Sequence, residues 1–225
     1  MNMGFSLDQL LGPSVRRIRE ENTGKKTLYL TFDDGPNSDS TPEVLETLEA
    51  CHVPATFFIV ARKAEAKREL VAEIRSRGHA VGNHSLDHRY GSFFAGKTKM
   101  LEWISNSEKM LTDAAGVPSV GFRPPAGVRT PELQWALKQL GLPLVMWERR
   151  FFDTVVPWNE QRAVRSLAQS TSGEIILLHD SQPVQRLPGF LKTLATYIKT
   201  AQDQGYEFRV LTRALCEHES ICSVS

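Results

Sequence analysis

Two adjacent carboxylates, Asp33 and Asp34, close the apolar run TLYLTF and lead straight into Gly35-Pro36. Further along, His84-Ser85-Leu86-Asp87-His88 sets two imidazoles four residues apart. In a helical turn that spacing puts both rings on one face, about 5–6 Å apart at Cβ, which suits gripping one ion. Two histidines with Asp34 leave coordination positions open for water and substrate, as in a catalytic divalent-metal site. Such an ion lowers the pKa of a bound water towards ~7 and polarises a carbonyl oxygen, two things that amide hydrolysis requires. The reaction also needs a base for the water proton and an acid for the departing amine. Asp33 suits the base, and His179, at the end of EIILL, suits the acid. Arg123 can orient and neutralise Asp33, while Asp153 can hold His179 protonated. Either pair reads equally well as a structural ion pair. A lone Asp-Asp is more often a solvated turn, and a bare pair of histidines is more often surface. What raises these residues above that background is where they fall.

The elements that must position them alternate along the chain. Short apolar or β-branched runs predict strands at Thr27–Phe32, Ala55–Val60, His79–Gly82, Val120–Phe122, Leu144–Trp147, Glu174–Leu178 and Glu207–Leu211. Between them lie amphipathic stretches with helix signals. Thr41-Pro42-Glu43 and Thr130-Pro131-Glu132 each place a hydroxyl at the N-cap and proline at the first helical position. Glu65–Arg77, Lys99–Ala115 and Glu132–Leu140 each stop at a glycine (Gly78, Gly116, Gly141). Seven strands alternating with helices imply a mostly parallel α/β sheet, either a closed barrel or an open doubly wound sheet. Five of the seven strands deliver a charged or imidazole group at their C-terminal end, where parallel α/β folds bind and react. Of the six histidines, three fall there; His52, His79 and His218 read as structural.

These residues together resemble the polysaccharide deacetylase family, also called carbohydrate esterase family 4 or the NodB homology domain. The resemblance runs from about Lys26 to Leu211 and covers five motifs in order. TFDDG at 31–35 resembles the first, which implies that Asp33 is the base and Asp34 a metal ligand. HSLDH at 84–88 resembles the second, implying His84 and His88 as ligands. RPPAG at 123–127 resembles the third, with Arg123 orienting the base, Pro125, Ala126 and Gly127 at the substrate, and a main-chain N–H there serving the oxyanion. Asp153, six residues after Trp147, matches the fourth, whose Asp tunes the acid. LLHD at 177–180 resembles the fifth, with Leu177 lining the acetyl pocket and His179 as the acid.

The resemblance implies a distorted (β/α) barrel of about seven parallel strands. It also implies a divalent metal, zinc first with cobalt or nickel as fits, and a glycan substrate (peptidoglycan or chitin-like) losing an N-acetyl group. Two departures stand out: Ala126 and Thr154 occupy positions where the family commonly carries aromatics that wall the groove. Trp147, Phe151, Phe152 and Trp158 are candidate replacement surfaces, although a core role is the default for each. Arg89–Lys97, with Tyr90, Phe93 and Phe94, is a candidate groove wall. The alternatives are a deacetylase or deformylase of a small or lipid-linked amino sugar, an O-acetyl esterase, and a catalytically silent carbohydrate-binding module.

Length and composition agree with one globular unit: 225 residues, 41% hydrophobic and 24% charged, enough to bury a core. Twenty-seven basic against 26 acidic residues give no electrostatic reason for a nucleic-acid partner. No apolar run approaches the roughly 20 residues of a membrane span. Residues 1–25 read as an N-terminal extension with a helix suggested by Leu7, Leu10, Leu11, Val15 and Ile18. Residues 26–215 form the domain, and 216–225 a tail. The N-terminus lacks signal-peptide features, so the chain as written reads as cytoplasmic, or as periplasmic or extracellular if a leader has been removed. Cys51, Cys216 and Cys222 show no metal-site spacing; a Cys216–Cys222 pair and free thiols are both open.

Overall fold

The apolar run at the start of the domain becomes β1, Lys26–Asp33, buried from its second residue onward. The computed structural model describes residues 8, 11–19 and 24–222. Around β1 the strands β2 (Thr56–Ile59), β3 (Ala80–Asn83), β4 (Arg149–Arg150), β5 (Glu174–His179) and β6 (Tyr206–Phe208) build one sheet, every pairing parallel. Its path is β3-β2-β1-β5-β4, with β6 paired to the lower half of β1 beneath β2.

Two of the seven expected strands shrink to single rungs. Val120–Phe122 and Leu144–Trp147 appear as bridges Asn83↔Phe122 and Phe122↔Leu144. Pro124, Pro125 and Pro143 flank them and lack the N–H that would lengthen the ladder. These rungs nonetheless carry the sheet from β3 round to the chain that enters β4, and β4 pairs with β5. The result is the distorted barrel. The short β4 was not expected, because its two arginines carry no apolar signal.

Alternation along the strands separates two apolar layers. Leu28, Leu30 and Phe32 of β1 face the helices, with Phe57, Ile59, Ile176 and Leu178. Tyr29 faces the barrel axis with Phe58, Ala80, Val145, Ile175 and Cys216. By the same alternation Thr31 and Asp33 follow Tyr29 up the inside. The helices hold this in place. Thr130 caps Pro131–Leu140 by accepting from the Leu133 N–H at 3.1 Å, and Gly116 and Gly141 end their helices left-handed.

Several expectations need correction. Thr41 does not cap its helix; Ser40 holds that position, and the Thr41 hydroxyl donates instead to Asp180 Oδ2 at 2.5 Å. Glu65–Arg77 is two helices, Ala61–Ala66 and Arg68–Ser76, broken at Lys67. Arg213–Cys222 is one helix, which runs across the expected boundary at 215/216. Cys216 is buried in the barrel interior, Cys222 sits 3.9 Å from His218 Nε2, and no disulfide occurs among the described residues.

The N-terminal segment 12–19 is extended rather than helical. Gly12 and Pro13 stop any helix at that point, while Leu7 and Leu10 lie outside the described residues. Val15 pairs with Val145 and Arg17 with Glu174, so the segment closes the seam between the 144–146 rung and the start of β5. Gly173, at φ 87, lets it approach: a Cβ there would collide with the Ile18 carbonyl oxygen. Val15 and Ile18 are each 1% exposed. Ile18→Ala should therefore lower the free energy of unfolding by about 2–5 kcal/mol in denaturant titrations. Ile221→Ala, on the exposed face of the last helix, should change it by less than about 0.5 kcal/mol.

Candidate metal and catalytic site

At the C-terminal end of β1 the chain must place Asp33 and Asp34 in different directions. Asp33 continues the inward face of the strand and is 3% exposed, whereas Asp34 turns off it at φ 76. Gly35 lies against the Asp180 carboxylate with no space for a side chain, so the turn passes directly over that buried group.

The histidines reach the same point from the end of β3. The HSLDH segment is not the helical turn expected from its spacing. Ser85 and His88 both have positive φ, and the loop is held by the Ser85 N–H on Asn83 Oδ1 (2.9 Å) and the His88 N–H on Ser85 Oγ (3.1 Å). The rings still converge, with centroids 5.3 Å apart. His84 Nε2 and His88 Nε2 stand 3.2 and 3.0 Å from the same oxygen, Asp34 Oδ1. His84 donates its Nδ1–H to the Arg123 carbonyl at 2.8 Å, which leaves its Nε2 lone pair aimed at that oxygen. A lone pair facing a carboxylate oxygen at this distance calls for a cation between them, a proton or a metal ion. A tetrahedral ion with bonds near 2.0–2.1 Å spaces its ligand atoms ~3.3 Å apart, close to the separations seen. Asp34, His84 and His88 thus fit one divalent ion, all three ligand atoms lying within 4.8 Å of one another. Burial works against the charge on Asp34, but the two imidazoles facing it outweigh burial and hold its pKa far below the carboxylate range.

Beside this group Asp33 is paired with Arg123, which is fully buried. Arg123 Nη1 donates to Asp33 Oδ1 and to Thr31 Oγ1, each at 2.7 Å, and Nη2 donates to the Met146 carbonyl at 3.0 Å. Its guanidinium lies 3.8 Å from the Phe58 ring centroid. Burial lowers the Arg123 pKa, and the neighbouring Asp33 opposes that shift.

His179 is the direct cross-strand partner of Asp33. Its Nδ1–H and its main-chain N–H donate to the two oxygens of Asp153, both at 2.9 Å. Burial would lower the His179 pKa, but the Asp153 hydrogen bond and charge, helped by Asp33 and Asp34, raise it to about 9. Asp153 is tied further by Gln182, whose Nε2 donates to Asp153 Oδ2 at 2.8 Å and to the His179 carbonyl at 2.9 Å. Gln182 was not anticipated, because nothing in a lone glutamine three residues past His179 announces it. The neighbouring Asp180 faces away; burial first, and then the charge of Asp34, push its pKa up to about 7.

These groups open on a cleft of about 290 Å³. Ala126, Trp147 and Leu177 line it as expected, with Ala126 at φ 52. Pro125 and Gly127 do not reach the lining: Pro125 is buried, and Gly127 packs against the Trp147 ring. Phe151 and Trp158 belong to the core, whereas Phe152 and Tyr90 line the cleft. Phe93 is buried, and Phe94 is exposed away from the cleft. His79 is structural, its Nδ1 accepting from the Ala55 N–H at 3.1 Å.

A barrel with carboxylates, imidazoles and an ion-paired arginine at its strand ends defines a class of metal hydrolase scaffold, and comparison makes this specific. The family description "Polysaccharide deacetylase" matches residues 20–145. The chitooligosaccharide deacetylase of Sinorhizobium fredii (strain NBRC 101917 / NGR234) is 31% identical over 206 residues, 88% of this chain and 95% of that protein. The Bc1960 peptidoglycan N-acetylglucosamine deacetylase structure superposes with a TM-score of 0.78 at 28% identity, covering 92% of this chain and 95% of that one. A family 4 acetyl xylan esterase from Clostridium thermocellum, solved with a cobalt ion, gives a TM-score of 0.73 at 30% identity, covering 83% and 88%. The chain belongs to the polysaccharide deacetylase family.

The His179–Asp153 pair has a thermodynamic signature. A histidine whose pKa rises on folding stabilises the fold below its unfolded value, near 6.5, and loses that contribution as pH climbs through about 9. In the metal-free chain, unfolding free energy should therefore fall between pH 6.5 and 9, and Asp153→Asn should flatten that slope. His79, whose pKa burial lowers to about 4, acts below this window. The check is denaturant unfolding at several pH values, with chelator present.

Proposed function

We propose that this protein is a metal-dependent hydrolase that removes the N-acetyl group from an amino sugar of a glycan, releasing acetate. The observation that carries the reading is the cross-strand pairing of Asp33 with His179 next to the Asp34, His84 and His88 cluster. A carboxylate held by Arg123 and an imidazole held by Asp153 give a base and an acid on one edge of one cleft. Zinc is the proposed ion on its preference for histidine and carboxylate ligands, and cobalt or nickel also suits the set. When bound, the ion supplies a Lewis acid for the acetyl carbonyl and acidifies water beside it.

The residues of the chain carry the rest. Asp33 takes the proton of the attacking water, and Arg123 keeps it oriented through the Nη1 hydrogen bond. The main-chain N–H of Ala126 is assigned to the developing oxyanion. Leu177 and Trp147 bound the space for the acetyl methyl. His179, protonated against Asp153, gives its proton to the sugar nitrogen, which cannot leave as an anion. The relatives' names support the choice of substrate class, being deacetylases of chitooligosaccharides and of peptidoglycan N-acetylglucosamine.

Acetate release from N-acetylglucosamine oligomers and from peptidoglycan fragments, with zinc added, tests the reading. Turnover should stop with chelator. Asp33→Asn should retain the ion yet lose at least about 10²-fold in kcat, the lower end for loss of a general base. A fully active Asp33→Asn protein would remove Asp33 from the role of base. Ester cleavage on acetyl xylan without amide cleavage would move the substrate to an O-acetyl group.

A further inference from the structure

One wall of the cleft carries a cation that the reaction does not use. Arg150 is the register partner of Leu177 across the β4–β5 pair, so both side chains leave the sheet on the same face. It lines the cleft together with Leu177 and His179. Its neighbour Arg149 points the other way and is spent on Glu174, at 2.8 Å. Among the described residues no carboxylate pairs with Arg150. Its guanidinium instead rests 4.1 Å from the ring centroid of Phe152.

Phe152 is built to stay there. It is 47% exposed and has φ 57, a backbone state that aromatic residues rarely adopt. The loop pins it: the Val155 and Val156 N–H groups both donate to the Phe152 carbonyl, at 3.0 and 2.9 Å. Arg186 holds the next turn through the Thr154 carbonyl at 3.2 Å, and Asp153 is locked on His179. A strained, anchored loop thus presents an aromatic ring that carries, at the mouth of the site, a guanidinium with no carboxylate partner among the described residues. A stacked arginine keeps its forked N–H edge free and matches carboxylate or phosphate oxygens.

We propose that Arg150, backed by Phe152, is a subsite for an anionic group on the sugar substrate, a carboxylate or a phosphate near the acetamido group being cleaved. The inference deepens the deacetylase reading and rests on it. It selects charged amino-sugar substrates over neutral chitin-like oligomers. Phe152 is the platform that the small Thr154 beside it does not supply.

The test compares matched substrates with zinc-loaded enzyme. One arm is an N-acetylglucosamine–N-acetylmuramic acid oligomer with a free lactyl carboxylate, against its methyl ester. The other is N-acetylglucosamine 1-phosphate against the 1-O-methyl glycoside. Wild type should prefer the charged member of at least one pair by tenfold or more in kcat/KM, and added salt should erode that preference. Arg150→Gln should bring the ratio to within about twofold while leaving turnover of the neutral member within about threefold. Arg150→Lys should retain part of the preference, because charge survives without the fork. A preference in the first arm identifies a muramyl carboxylate, and in the second a sugar phosphate. Equal turnover of both members by wild type, or an equal loss on both in Arg150→Gln, overturns the proposal. Should no substrate release acetate, the deacetylase reading fails. Calorimetric binding of the same pairs to wild type and Arg150→Gln then judges Arg150 by itself.

Discussion

The buried ion pair between Arg123 and Asp33 is the constraint on which the site depends. A guanidinium with no exposure must find a partner for each of its nitrogens, and here those partners are Asp33, Thr31 and two carbonyls on the 145–146 rung. Breaking such a pair from one side typically costs about 3–5 kcal/mol, because the remaining charge stays buried. The same residue acts through its backbone as well. Its carbonyl takes the Nδ1–H of His84 and so decides which nitrogen of that ring faces Asp34. One arginine therefore fixes both the proposed base and the orientation of a proposed metal ligand, and it ties them to the barrel wall.

The barrel makes this affordable by its register. Asp33 and His179 are paired across β1 and β5, so two strands alone set the separation of the proposed base and acid. Below them the interior is apolar, filled by Phe58, Tyr29, Val145 and Ile175. That layer keeps water from the Arg123–Asp33 pair on one side while the cleft opens on the other. The seam most at risk, between the 144–146 rung and β5, is closed by the N-terminal segment through Val15 and Arg17. Residues 15–17 are thus part of the scaffold that holds the floor of the site.

Much of this was legible in the sequence, for a physical reason. Charged residues at the ends of buried strands are costly unless used, so Asp33, Asp34, Arg123 and His179 stood out against their apolar runs. The two histidines were found by spacing, but the conformation assigned to them was wrong. The loop meets the same geometry through two positive-φ residues, which neither Ser85 nor His88 advertises. What escaped notice depends on distant partners. Val15 and Ile18 fit a helical period as well as an extended segment, and only the gap beside Gly173 decides between them. Thr41 looked like a cap, yet Asp180, far along the chain, claims its hydroxyl. Gln182 and Arg150 belong to no apolar pattern: Gln182 reaches Asp153 from the loop after β5, and Arg150 reaches the cleft from the two-residue β4.

The proposed chemistry requires that Asp34, His84 and His88 hold the ion. X-ray absorption at the zinc edge, on protein loaded with one equivalent, reads that shell directly. It should show only nitrogen and oxygen neighbours near 2.0–2.1 Å, with the outer scattering of two imidazoles. His84→Ala should remove one imidazole and weaken retention of the metal. A spectrum unchanged by loss of either histidine, or a sulfur neighbour near 2.3 Å, would place the ion elsewhere and contradict the account.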